Sequence, residues 1–108
     1  MNGECKLIKV VIEKMFRGNT VVATYTNVDY RENKVLIPKK TEYKFDELGF
    51  KESENSMLLF DKKDESHYFT ILNDSVETLS YKYHPDNKKV VLKIYFKNGD
   101  FLQLERTL

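Results

Sequence analysis

Cys5 is the only cysteine in 108 residues, so an intrachain disulfide is excluded and a cysteine-built zinc site cannot be assembled. A chain that folds without disulfides suits a reducing compartment. Only four glycines occur, none of them grouped, and no glycine-rich phosphate loop can be drawn. Two prolines make no Pro-rich linker, and low-complexity tracts are missing, so residues 1–108 read as one β-rich domain. The apolar run from Leu7 to Ile12 is interrupted by Lys9 and followed at once by Glu13 and Lys14, which is not the pattern of a secretory signal. No segment approaches the ~20 apolar residues of a membrane-spanning helix. A cytoplasmic location with no membrane partner is expected.

Charge of one sign is lacking too. Eighteen basic and seventeen acidic side chains leave +1, so no overall field draws the chain toward nucleic acid or membrane. The distribution is uneven: residues 1–41 carry eight bases and four acids, whereas residues 42–65 carry four bases and eight acids. What the chain does have is 41% hydrophobic residues, including seven Tyr and seven Phe, enough apolar surface to offset chain entropy. Lysine far outnumbers arginine, and Asn, Ile, Tyr and Phe are plentiful, a composition that suggests an AT-rich bacterial or phage genome.

Short runs of β-branched and aromatic residues alternate with Asn, Asp, Gly and Lys clusters. They predict strands at Val21 to Val28, Lys34 to Ile37, Thr41 to Phe45, Met57 to Phe60, His67 to Leu72, Val76 to Tyr83, Lys89 to Phe96 and Phe101 to Arg106. The expected fold is all-β or β-rich α+β: a small antiparallel sandwich or partly open barrel of about 7–9 short strands, ending in a C-terminal three-stranded meander. "DELGFKESEN", Asp46 to Asn55, has no strand pattern and predicts a helical turn stopped by Gly49, then a polar loop. The N-terminal segment admits two readings. Leu7, Ile8, Val11, Ile12, Met15 and Phe16 recur at helical spacing with Gly18 where a cap would sit, while the β-branched run "KVVIEK" and an echo of it at Val90 favour a strand. The strand is the preferred expectation.

Side-chain parity sharpens the C-terminal hairpin. A two-residue Asn98-Gly99 turn would put Leu102 and Leu104 on the opposite face from Leu92 and Ile94, splitting the core. A three-residue loop, Lys97-Asn98-Gly99, pairs Ile94 with Leu102 and Leu92 with Leu104, and gives one apolar face. A four-residue loop His84 to Asn87 then sets Tyr81 opposite Val90 and Leu79 opposite Leu92. Tyr95 and Phe101 remain on the outward face, flanked by Val76 and Val91. Either a second layer covers them, from the N-terminal segment or the Met57 to Phe60 strand, or they stand open as a modest protein-binding patch with Lys93, Gln103 and Glu105 around it.

No residues converge on catalysis. Cys5 reads as an inert thiol, His67 and His84 lack a clustered carboxylate partner, and the acids at Glu52, Glu54, Asp61 and Asp64 fall in polar loops. No catalytic, cofactor or metal site is expected. The function expected is that of a small soluble non-enzymatic protein-binding module, using Tyr95, Phe101, Val91, Lys93 and Glu105. One specific form is a phage or mobile-element inhibitor or adaptor, such as an inhibitor of a host defence nuclease. The alternative is a small β-barrel binding single-stranded nucleic acid through the same aromatics, against which the near-neutral charge argues. Self-association through an open patch is a third use.

Overall fold

The chain begins with a helix, contrary to the preferred strand. The computed structural model describes residues 3–29 and 31–108. In it α1 spans Gly3–Val11 and runs on through a π-helical turn, Ile12–Phe16. The physical reason is the spacing of what gets buried. Cys5, Ile8, Ile12 and Phe16 are all fully buried along one side, while Leu7 and Val10 are about half exposed. β-branched residues cost a helix only tenths of a kcal/mol each, less than that buried face contributes. Arg17 N–H bonds back to Ile12 O at 2.9 Å, and Gly18, at φ +82°, turns the chain out as the cap expectation required. The guanidinium of Arg106 donates to the free carbonyl of Met15 at 2.7 Å.

Among the described residues ten strands follow, arranged in three open antiparallel sheets with no closed barrel. They are β1 (Val21–Asn27), β2 (Arg31–Glu32), β3 (Val35–Leu36), β4 (Lys39–Phe45), β5 (Leu48–Glu52), β6 (Ser56–Asp61), β7 (Asp64–Leu72), β8 (Val76–His84), β9 (Lys89–Phe96) and β10 (Phe101–Thr107). The large sheet has the order β4-β1-β10-β9-β8, the small one β5-β6-β7, and β2-β3 form the tip of the long β1–β4 hairpin. The two-residue turn at that tip, Asn33-Lys34, holds both residues at positive φ.

Every one of the eight expected strands occurs, and the C-terminal register is the odd-loop one: Ile94 faces Leu102, Leu92 faces Leu104, and Tyr95 faces Phe101. Gly99 supplies φ +94°, and Phe96 N–H closes the loop on Asp100 O at 2.9 Å. Three expectations need correction. The β8–β9 loop is Pro85 to Lys88, with Lys88 at positive φ, so Tyr81 faces Leu92 and Leu79 faces Ile94. That moves the register by two and keeps each side chain on its expected face, although Tyr81 stays 38% exposed beyond the covering elements. Val76 does not flank the aromatic pair, because the register shifts between Val76 and Thr78 and turns Val76 into the core. Finally, Asp46 to Asn55 holds strand β5 where a helical turn was expected: Leu48 and Phe50 alternate inward, and Gly49 lies under the Phe60 ring, where a Cβ would stand 2.3 Å from the nearest ring carbon.

One buried cluster joins α1 and the inner face of the small sheet (Leu48, Phe50, Met57, Leu59, Ile71) to the inner face of the large sheet (Ala23, Leu92, Ile94, Leu102, Leu104). Phe69 of β7 reaches Tyr25 and Tyr43 of the large sheet, each at 5.5 Å between ring centres. Asp61, at the β6–β7 turn, ties the small sheet to the end of β4. Its carboxylate accepts the N–H groups of Asp46, Glu47 and Lys63 at 3.0–3.2 Å. Burial works to raise the pKa of Asp61, but the three N–H donors outweigh it and leave it below the aspartate norm. Among the described residues no helix is long and apolar enough to cross a membrane.

Candidate functional site

The outer face of the large sheet is laid out by its strand register. One row across it reads Lys40, Thr26, Phe101, Tyr95, Thr78; the next Glu42, Thr24, Gln103, Lys93, Ser80; the third Lys44, Val22, Glu105, Val91, Lys82. All of these side chains are half-buried or exposed except Thr26, which is 3% exposed between Lys40 and Phe101. The N-terminal segment and the Met57 to Phe60 strand, the two elements that could have covered this face, both pack on the other side of the sheet.

Within this lattice Tyr95 and Phe101 are direct cross-strand neighbours, with ring centres 5.9 Å apart and planes tilted by 42°. Such a tilted contact suits the ring quadrupoles. The ammonium of Lys93 lies 5.3 Å from the centre of the Phe101 ring, a cation–π contact. Glu105 pairs with Lys89 at 2.9 Å. Val91 sits between Glu105 and Lys82, and with Ser80, Lys82, Lys93 and Tyr95 it lines a small cleft of ≈ 80 Å³. The structure therefore brings Tyr95, Phe101, Val91, Lys93 and Glu105 onto one surface.

The end of the sheet that carries the rings is anchored from beneath. Asp100, 4% exposed, accepts Val28 N–H at 3.0 Å, the Asn98 side-chain amide at 3.2 Å and the Tyr25 hydroxyl. Burial, and then the hydrogen bond to Asp100, push the Tyr25 phenol far above its ordinary pKa, so it stays a donor. This three-donor clasp fixes the loop immediately before Phe101.

Other candidates lie apart. Cys5 is sealed in the core with its thiol 3.6 Å from Asn73 O, and burial raises its pKa, which removes thiolate character. His67 lies 3.7 Å from Asp64 on the exposed edge of β7, and His84 is at the far corner of the outer face. Among the described residues no cluster of three or more His, Cys, Asp or Glu could hold a metal. Sequence reasoning missed two features. On the small sheet's outer face Leu58, Phe60 and Tyr68 line a cleft of ≈ 200 Å³ with Lys51 and Glu65, and Tyr68 and Leu72 stand 58% and 59% exposed. The β2–β3 tip exposes Val35 and Leu36. The alternation of Leu58 and Phe60 with Met57 and Leu59 gave no outward face, because apolar residues fill both parities.

No protein-family model, no curated protein and no solved structure matches the chain.

Proposed function

We propose that this protein is a non-enzymatic binding module that docks another protein on the outer face of the large sheet, with Tyr95 and Phe101 as anchors and Val91, Lys93 and Glu105 around them. The observation that carries the reading is the placement of two touching aromatic rings on the sheet face opposite the core, on a backbone clasped rigid by Asp100. Rigid, partly exposed aromatics lose little side-chain entropy on binding, which is why such groups carry interface energy. An inhibitor or adaptor that acts by occupying a partner's surface, including one carried by a phage against a host defence nuclease, is the specific form this reading takes.

The test is partner capture from lysate of the source cell, with mass spectrometry, comparing the native protein, Tyr95→Ala/Phe101→Ala and a control, Tyr68→Ala/Leu72→Ala, on the small sheet. Loss of a defined partner in the first variant alone, with an almost unchanged melting temperature, supports the reading. Capture that survives it, or a melting temperature that collapses, rejects it. A second reading, binding of single-stranded nucleic acid, draws support from the lysines on the same face. It requires oligonucleotide retention that falls steeply with salt. Light scattering at two concentrations tests whether the same face joins two copies.

A further inference from the structure

Folding gathers lysines from three separate strands onto one face. On the outer face of the large sheet Lys40, Lys44, Lys82, Lys89 and Lys93 stand against Glu42 and Glu105, five bases to two acids, a net of three positive charges. Residues 46–65, which build most of the small sheet and its turns, carry three lysines against seven acids, a net of four negative charges. A protein of overall charge +1 thus carries a positive set of strand residues on the face of the aromatic pair and an acidic segment in the small sheet. Two of the five lysines are engaged, Lys89 with Glu105 and Lys93 over Phe101. Lys40, Lys44 and Lys82 sit exposed on the two edge strands and make no ion pair among the described residues.

We propose that the partner docked on this face is a protein surface whose apolar centre meets Tyr95 and Phe101 and whose acidic rim meets Lys40, Lys44 and Lys82. The inference rests on the protein-binding reading above and adds the chemistry of the partner. Three features favour a protein over a nucleic acid. The Phe101 ring already holds the Lys93 ammonium, so it is not a free platform for a base. Glu42 and Glu105 stand in the second and third rows, among the lysines, where a phosphate backbone tracking those lysines would meet carboxylates. In the second row Thr24, Gln103 and Ser80 add side chains that both donate and accept, which suits peptide groups. The perimeter lysines would act mainly on encounter rate and orientation, since rim charges steer association more than they hold it.

The experiment uses defined probes. Short fluorescent peptides alternating Glu with Leu or Phe, the same peptides with Lys for Glu, and an oligothymidine are titrated by anisotropy against the whole chain, at low salt and at roughly 0.15 M salt. Two variants carry like charge changes: Lys40→Glu/Lys44→Glu/Lys82→Glu on the outer face, and Lys51→Glu/Lys62→Glu/Lys63→Glu on the small sheet. The expected result is binding of the Glu peptides alone, weaker at the higher salt, reduced by about tenfold or more in the outer-face variant and little changed in the small-sheet variant. No binding of the Glu peptides, equal binding of the Lys peptides, or equal losses in both variants overturns the inference, and retention of the oligothymidine without the peptides replaces the partner by a nucleic acid. A lysate partner whose capture needs Tyr95 and Phe101 but is indifferent to the three lysine reversals overturns only the acidic rim and leaves the docking face standing.

Discussion

Strands β9 and β10 present two faces made from alternate residues of the same chain. On one, Leu92, Ile94, Leu102 and Leu104 are fully buried among α1 and the small sheet; on the other, Val91, Lys93, Tyr95, Phe101, Gln103 and Glu105 stay partly exposed. The inner residues gain from leaving water and from close packing on every side. The outer ones gain only what cross-strand neighbours contribute, on the order of 0.2–1 kcal/mol per pair. The difference teaches that stability and surface chemistry are separable here to within one residue. An outward ring costs the fold little to keep or lose, so its identity is not dictated by the core.

That separation can be broken most severely from inside. Ile94→Ala or Leu104→Ala should cost about 2–5 kcal/mol, read by urea unfolding, because a fully buried side chain leaves a cavity behind. A smaller loss, of about 1–3 kcal/mol, is expected for Gly49→Val on the small sheet, where the Phe60 ring must leave its place. Acid sharpens the comparison without any change to the rings. Asp61 and Asp64 are both held below the ordinary aspartate value of 3.8, Asp61 against the pull of burial by its backbone N–H donors and Asp64 by the Ser66 hydroxyl and N–H. Their contribution is complete above that value and is lost as the pH falls through the lower folded-state values. Thermal melts should therefore weaken below about pH 3.8, with a shallower decline in Asp61→Asn. The smallest effect belongs to the outer face: a double-mutant cycle on Tyr95→Ala and Phe101→Ala should give a coupling of about 0.2–1 kcal/mol. A coupling of several kcal/mol would mean that the rings are core after all.

Much of the three-stranded meander was legible in the sequence because its information is local. Strict alternation fixes which residues share a face, and of a two- and a three-residue loop only the three-residue one, Asn98-Gly99 with one preceding residue, keeps the leucines together. Even the misplaced β8–β9 loop preserved facing, since a shift of two respects the pleat. What could not be read was non-local or context-made. Nothing near Val22 announces that it will lie beside Glu105, so the contribution of β1 and β4, including Lys40 and Lys44, to the outer face stayed hidden. The N-terminal segment became a helix because its own buried side chains, Cys5, Ile8, Ile12 and Phe16, recur at helical intervals, which overrode its β-branched run. Gly49 read as a terminator, yet its missing side chain makes room for a ring from the neighbouring strand.

The extra residue at the start of β8 has one more consequence. Because Glu77 is a spacer between Val76, opposite Phe96, and Thr78, opposite Tyr95, the segment behaves like text read in frame. Removing that single residue would restore regular alternation, with Val76 directly before Thr78, still opposite Phe96 and still facing the core. Removing one from the middle of β9 would instead exchange the two sides of everything beyond it, so a deletion there should abolish folding outright, where substitutions on the outer face leave the core intact.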